Sequence, residues 1–306
     1  MSGEIRIKQK NLIILLGFVL LVIFLIQSRK CREPSAVIQE EPESGDDLPI
    51  IYAITPTYYR PVQKAELTRL SQTIMLVPNI YWVIVEDADE VTELVTNVLK
   101  RSGLYKRSVQ LTAKTPDDLK LKQKDPHWSK PRGVDQRNTA LEWVKQRIVE
   151  SSPRRTIVYF MDDDNAYSVQ LFKEMSNIEL GRVGVWPVGL VGGLMVEKPI
   201  VDENNVVTGF NAAWRPERQF PIDMAGFAIS GSLFMKFPSA KFSADVERGY
   251  QETEILRHIT TVNRLQPLAN GCTEVLVWHT RTEAPKLREE EKLKKQGKRS
   301  DEGMEV

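Results

Sequence analysis

A short apolar run that ends in three consecutive carboxylates constrains the fold more than any other feature of the sequence. Residues 157–160 are β-branched and aromatic, which is typical of a strand buried on both faces. Asp162, Asp163 and Asp164 follow almost at once. The alternative is a solvated acidic turn that caps the next helix. Because ligands of open α/β sheets bind outside the carboxyl ends of strands, the position favours a ligand site.

Adjacent carboxylates repel one another, and burying them is costly unless they are paired or bind a metal. Clustered hard oxygen ligands suit Mg²⁺ or Mn²⁺, which one or two carboxylates hold while diphosphate oxygens fill other positions. The cluster therefore predicts a divalent metal beside a phosphorylated ligand.

Strands and helices alternate through the first part of the chain. Their spacing predicts strands at 51–55, 81–85, 109–112 and 157–160, and helices at 64–77, 91–99 and 134–149. This alternation indicates an α/β fold with a parallel sheet and right-handed crossovers. After Asp164 the pattern weakens to helices at 168–177 and 251–259, strands at 183–187 and 274–278, and a charged tail at 284–303. We therefore divide the fold into residues 48–165 and an irregular second half, 166–306.

An apolar segment near the N-terminus, residues 12–26, predicts a single transmembrane anchor, although it is short against the roughly 20 residues of a typical span. A cleaved signal peptide is disfavoured because no small-residue cleavage pattern follows, and a buried helix because the segment has no polar face. We assign 1–10 to a cytosolic tail, 11–28 to the anchor and 29–47 to a stem. The short span favours thin membranes of the early secretory pathway, with the folded part in the lumen.

Composition excludes several classes of function. The formal net charge of +1 gives no general attraction to nucleic acid. Two cysteines are too few for a disulfide framework or a Cys-type zinc site. Cys31 follows the apolar segment, where an intermolecular disulfide and a free thiol both remain open.

Polar residues follow four of the predicted strands. They are Thr57 and Tyr58, Glu86 and Asp87, Asp162 to Asp164, and His279 to Arg281. Such strand ends build the nucleotide crevice of a doubly wound sheet, where Asp87 could accept hydrogen bonds from a ribose or a base edge. Arg132 and Arg137 flank a helix start, and their planar guanidinium groups suit a diphosphate or a sugar carboxylate. Structural ion pairs are the alternative for each arginine.

Nine motifs in a fixed order carry a family resemblance. They are TPTY at 55–58, QKAEL at 63–67, VEDA at 85–88, PRG at 131–133, QRN at 136–138, YFMDDDN at 159–165, VWP at 185–187, DMAGF at 223–227 and VWHTRTE at 277–283. Through about residues 48–283 the chain resembles the β-1,3-glucuronosyltransferases. The resemblance implies a GT-A-type glycosyltransferase with a Rossmann-like nucleotide-sugar-binding sheet and an irregular acceptor-binding second half. It also implies UDP-glucuronic acid as donor, Mn²⁺ as cofactor, inversion, a single-pass type II Golgi membrane location and a homodimer.

The acceptor implied by the resemblance is a terminal β-galactose in the glycosaminoglycan–protein linkage region of proteoglycans. N-acetyllactosamine-type glycans are the alternative acceptor, and Trp214 argues against them. A non-catalytic sugar-binding membrane protein and a metal-dependent nucleotide-sugar hydrolase are less favoured functions.

The resemblance also implies residue roles. The implied donor-site residues are Pro56, Thr57, Tyr58, Asp87, Arg132, Arg137, Asp162, Asp163, Asp164, His279, Thr280 and Arg281. Asp164 is the implied Mn²⁺ ligand and Glu252 the implied catalytic base, although the sequence alone would place Glu252 on a helix surface. The implied acceptor contacts are Glu197, Trp214, Arg218 and Asp223.

Two positions depart from the family pattern. Residues 270–273, Asn-Gly-Cys-Thr, are not a glycosylation sequon, which makes glycosylation of Asn270 doubtful. Glu289 stands where the family has a tail glutamine that touches the neighbouring subunit's acceptor, so the resemblance does not extend to that contact.

Overall fold

The computed structural model describes residues 48–120, 132–150 and 154–306. The predicted tail, anchor and stem, together with Cys31 and Pro131, lie outside the described residues. Within those ranges no helix has both the length and the apolar character needed to cross a membrane.

Four parallel strands and three helices form the first half. In chain order they are β1 (Ile50–Thr57), α1 (Gln63–Met75), β2 (Ile80–Glu86), α2 (Glu93–Arg101), β3 (Ser108–Thr112), α3 (Val134–Glu150) and β4 (Thr156–Phe160). The strands lie in the order β3-β2-β1-β4. The predicted α/β character and parallel pairing of this half are confirmed, with element ends shifted by a few residues.

The helices cover both faces of this sheet, because successive side chains of a strand point to opposite sides. Ile51 and Ala53 of β1 belong to the same buried cluster as Leu67 and Leu70 of α1. Tyr52, between them, instead contacts the Trp143 ring of α3 at a centroid distance of 6.2 Å. The chain therefore winds in two directions from β1, and the switch point lies between β1 and β4, where such folds bind nucleotides.

The second half extends this sheet and adds another. The first group of its elements is β5 (Ala166–Tyr167), α4 (Val169–Met175), β6 (Val183–Val185), β7 (Val188–Gly189), β8 (Val196–Val201) and β9 (Val207–Asn211). The second is β10 (Phe227–Ser230), α5 (Gly231–Lys236), α6 (Gln251–Arg257), β11 (Leu265–Pro267), α7 (Ala269–Cys272), β12 (Val277–Trp278) and α8 (Arg288–Lys295). The sheets have the orders β11-β6-β10-β4-β1-β2-β3 and β5-β12-β7-β8-β9.

The expectation of an irregular second half is wrong, because its eight strands, β5 to β12, all belong to these two sheets. Most of these strands contain two to five residues, too few for an alternating pattern to stand out. β10 also runs antiparallel to β4 and β6, so the complete large sheet is mixed and not purely parallel.

One antiparallel pair of short strands, β5 and β12, brings a late segment of the chain next to the acidic cluster at the end of the first half. Trp278 lies opposite Ala166 in this pair. Because β5 begins soon after the acidic cluster and β12 ends immediately before His279, the pairing brings these sequence-distant segments together. The hydroxyl of Thr280 donates to the carbonyl oxygen of Asp164 at 2.6 Å.

Candidate active site

Hydrogen bonds join the ends of β1, β2 and β4 at the switch point. The Thr57 hydroxyl, at the end of β1, donates to Oδ2 of Asp163 at 2.7 Å. The amide of Asp87, just after β2, donates to the carbonyl of Thr57 at 2.8 Å. The structure therefore brings Thr57, Asp87 and Asp163 together at one edge of the sheet.

Asp163 is the buried member of the acidic cluster, with 6% of its surface exposed. Its Oδ1 pairs with Arg60 at 2.7 Å, and Arg60 also pairs with buried Glu66. Burial raises the pKa of Asp163, and the interactions with Arg60 partly oppose this. The Arg60 guanidinium lies 4.6 Å from the ring centre of exposed Tyr58. Sequence reasoning missed Arg60, because no motif signals a cation whose partners are assembled by the fold.

Asp162 pairs with Arg137 of α3. Nη2 of Arg137 donates to Oδ1 of Asp162 at 2.6 Å, and Nη1 donates to the carbonyl of Arg132 at 2.9 Å. The structural ion pair considered for Arg137 is thus present, and it lies inside the predicted site. The Arg132 side chain is exposed.

Asp164 differs from its two neighbours because its carboxylate has no hydrogen-bonding or ion-pair partner among the described residues. Burial, followed by the charges of Asp162 and Asp163, raises the pKa of Asp164 to about 6. Arg69 and Thr280 donate to its main-chain oxygen and hold the backbone in place. A partly buried, uncompensated carboxylate fits a divalent cation that also binds phosphate oxygens. The described ranges contain no preassembled group of three or more metal-ligating side chains.

A histidine–aspartate pair lies near this cluster. Nδ1 of His279 is 3.5 Å from Oδ2 of Asp223, an ion-pair separation at the limit of hydrogen bonding. The interaction with Asp223 raises the pKa of His279 to about 9, although burial opposes it. Burial alone would raise the pKa of Asp223. The interaction with His279 and the hydrogen bond from the Ala225 amide outweigh this effect, so the pKa of Asp223 is lowered. His279 is therefore a cation at neutral pH.

Glu252 lies in the first turn of α6, and 15% of its side chain is exposed. Burial raises its pKa to about 7, against the effect of Arg218, whose Nη1 is 3.4 Å from Oε2. The charge of Asp223 also raises the pKa of Glu252, and the charge of Arg137 lowers it. The surface position that sequence alone suggests is therefore wrong. Arg137, which forms an ion pair with Asp162 of the acidic cluster, also acts electrostatically on Glu252.

Arg218 organises the surface beside Glu252. This nearly buried guanidinium donates to the carbonyl oxygens of Trp214 and Arg215 at 3.1 and 3.2 Å, and to that of Gly249. Gly249 has φ +83°, and a Cβ there would lie 2.5 Å from Nε1 of Trp214. The close approach of this backbone to the indole requires glycine.

Trp214 leaves 40% of its surface exposed, and the Arg248 guanidinium lies 4.5 Å from its ring centre. Glu197 is only 5% exposed and accepts a hydrogen bond from the Ala213 amide at 3.2 Å. In this structure Glu197 therefore supports the loop that presents Trp214.

The remaining candidate positions are simply placed. Pro56 is partly buried and Arg281 is exposed. The tail residue Glu289 is exposed and pairs with Lys292 at 2.6 Å. Cys272 is a buried free thiol, and burial raises its pKa to about 12. Because His279, Thr280 and Arg281 belong to the second half, both halves contribute to the predicted donor site.

Comparison with known proteins decides the family, since the model of glycosyltransferase family 43 matches residues 70–283. The chain belongs to glycosyltransferase family 43. It is 60% identical over 308 residues to galactosylgalactosylxylosylprotein 3-beta-glucuronosyltransferase I of Drosophila melanogaster, covering 99% of this chain and 100% of that protein. It is 48% identical over 289 residues to the Homo sapiens galactosylgalactosylxylosylprotein 3-beta-glucuronosyltransferase 3, covering 92% and 84% of the two chains.

Among solved structures, the S. aureus TarS fragment 1-349 in complex with UDP shows 12% identity and a TM-score of 0.46. The match covers 76% of this family 43 chain and 61% of that TarS fragment.

Proposed function

We propose that this family 43 enzyme transfers glucuronic acid from UDP-glucuronic acid to the 3-hydroxyl of a terminal β-galactose in the linkage region of proteoglycans. The reaction inverts the anomeric centre and requires Mn²⁺. The observation that carries the proposal is Glu252, a nearly buried carboxyl group electrostatically linked through Arg137 to the acidic cluster. The similarity to two galactosylgalactosylxylosylprotein 3-beta-glucuronosyltransferases supports glucuronic acid as the transferred sugar and a terminal galactose as its acceptor.

Inverting transfer needs one base, because the acceptor hydroxyl attacks the anomeric carbon directly and no protein nucleophile takes part. Glu252 has the required properties: a pKa near the working pH and partial shielding from water. Its carboxylate accepts the hydroxyl proton as the new glycosidic bond forms and the bond to UDP breaks.

The departing diphosphate needs positive charge. Cationic His279 supplies it from the position directly after β12, and exposed Arg281 lies two residues further on. Mn²⁺ held by Asp164 would add Lewis-acid stabilisation of the leaving group. On the acceptor side, the exposed indole of Trp214 offers a flat apolar surface to galactose. The family resemblance implies Arg218, Asp223 and Glu197 as further acceptor contacts.

The proposal is tested by measuring turnover of UDP-sugars with defined galactosides, with and without Mn²⁺. We expect turnover of UDP-glucuronic acid only with a galactose-terminated acceptor and only with the metal. Release of glucuronic acid at equal rates with and without acceptor would instead identify a hydrolase. UDP binding without any turnover would identify a non-catalytic binding protein.

The pH dependence of turnover follows from two groups. Glu252 must be ionised to act as a base, so activity should rise as pH increases through about 7. His279 must be protonated to stabilise the leaving group, so activity should fall as pH increases through about 9. A bell-shaped profile of kcat/KM is the expected result. In His279→Asn the maximal rate should be lower and the alkaline limb should be lost.

Trp214 is expected to determine acceptor choice. In Trp214→Phe the smaller ring loses indole contact, which should raise KM for a galactose-galactose acceptor and reduce its preference over a lactosamine acceptor. Donor KM should stay unchanged, because Trp214 lies on the acceptor side. An unchanged preference would favour the alternative function of capping N-acetyllactosamine-type glycans.

The proposed cellular setting is a single-pass type II Golgi membrane protein with a lumenal catalytic domain, assembled as a homodimer with Cys31 as one possible link. Non-reducing electrophoresis of the full chain beside Cys31→Ser tests that link. A dimer band that disappears in the variant supports it, and identical migration contradicts it.

A further inference from the structure

The carboxylate of Asp87 is held at both oxygens by one residue. The Thr115 amide donates to Oδ1 at 2.7 Å, and the Thr115 hydroxyl donates to Oδ2 at 2.7 Å. Thr115 lies in the loop after β3 and belongs to none of the motifs that carry the family resemblance.

The direction of the hydroxyl bond is fixed by a third side chain. Nε2 of Gln136 donates to Oγ1 of Thr115 at 3.1 Å, and it also donates to the carbonyl of Ala113 at 2.5 Å. The Thr115 hydroxyl accepts the hydrogen bond from Gln136. Its single hydrogen therefore remains available to donate a hydrogen bond to Asp87. Gln136 is buried in the first turn of α3, directly before Arg137.

We propose that Thr115 is a positioning residue for nucleoside recognition. It fixes the plane of the Asp87 carboxylate, so that the remaining lone pairs accept hydrogen bonds from the uridine part of the donor. Through Gln136 it also holds Asp87 in a constant relation to the helix that carries Arg137. The inference rests on the proposed function, because it assumes that Asp87 binds the nucleoside.

Loss of this anchor has a distinctive kinetic signature. The nucleoside does not change during transfer, so its contacts are equally strong in the ground state and the transition state. Weakening such contacts raises KM and leaves kcat unchanged. Removing one charge-assisted hydrogen bond that orients a carboxylate should weaken binding roughly tenfold.

The experiment compares Thr115→Val with Thr115→Ser, using calorimetric UDP binding with Mn²⁺ and donor kinetics. Valine keeps the shape without the hydroxyl, and serine keeps the hydroxyl. We expect valine to raise the UDP Kd and the UDP-glucuronic acid KM roughly tenfold with kcat unchanged, and serine to restore both. Binding of Mn²⁺-pyrophosphate should be the same in all three proteins. Repeating the UDP measurement with N3-methyl-UDP and 2′-deoxy-UDP shows whether the base or the ribose donates the hydrogen bond to Asp87.

Thr96→Val is the matched control, because the partly buried Thr96 hydroxyl bonds to Gln110 at 2.7 Å away from Asp87. It should leave the UDP Kd unchanged. A Thr115→Val protein that loses thermal stability but binds UDP like the wild type would overturn the inference and leave the transferase proposal intact. Wild-type protein that binds UDP but transfers no sugar would contradict the transferase proposal alone.

Discussion

Glu252→Gln should lose glycosyl transfer by about 10²–10⁴-fold, the usual contribution of a general base, while its affinity for UDP stays unchanged. The amide has nearly the same shape as the carboxyl group and can remain beside Arg218, but it cannot accept the acceptor's proton. Single-turnover transfer and calorimetric UDP binding measure the two effects separately.

The same variant should be more stable than the wild type at alkaline pH. Burial raises the folded-state pKa of Glu252 from its ordinary 4.5 to about 7. The folded state therefore favours the protonated carboxyl group, and stability falls as pH rises from about 4.5 through about 7. Glutamine removes this dependence, so urea unfolding at pH 8 should show a gain on the order of 1–3 kcal/mol. At pH 4 the two proteins should be nearly equal.

Glu254→Gln provides the matched control from the same helix. Glu254 is also nearly buried, but it pairs with Arg257 at 2.6 Å and His258 at 3.3 Å. Its replacement should leave transfer unchanged. If Glu252→Gln retained wild-type transfer, or Glu254→Gln lost it, Glu252 would not be the base.

Asp164→Asn should remove the metal dependence of donor binding and nearly all transfer. Asparagine preserves the shape of the side chain but not the charge that a divalent cation requires. Because Asp162 and Asp163 are already paired with Arg137 and Arg60, neither can replace Asp164 without breaking its ion pair. UDP titrations with Mn²⁺ and with a chelator should differ in the wild type and coincide in the variant.

Measurements of unfolding free energy distinguish a loss of metal binding from a loss of folded structure. Neutralising Asp164 removes the cost of burying its charge and the repulsion from Asp162 and Asp163. The free energy of unfolding at pH 8 should therefore not decrease. Asp163→Asn is the contrast, because it leaves partly buried Arg60 with one carboxylate partner fewer and should destabilise the fold. Persistence of Mn²⁺-enhanced UDP binding in Asp164→Asn would contradict the assignment.

The first half of the fold could be predicted because each strand has its own local signal. Residues such as Ile51 and Val83 are buried in a sheet covered on both sides, which produces continuous apolar runs. The second half gives fewer such signals, since a strand as short as two-residue β7 is defined by its partners.

The site shows the same division. The acidic cluster and Asp87 could be located from sequence because they follow recognisable strands. Glu252 could not, because the burial that raises its pKa is created by the fold, and the charges of Arg218, Asp223 and Arg137 that modify this pKa come from other elements. Arg60 and Thr115 escaped notice for the same reason, since their importance lies in what they contact across the fold.

The pairing of β5 with β12 sets an order of events during protein synthesis. The parallel core and the aspartates leave the ribosome well before His279, which directly follows β12. A nascent or clipped chain ending after β11 would present the acidic edge without its cationic counterpart. The donor site is therefore complete only after β12, the last strand, has been synthesised and has paired with β5.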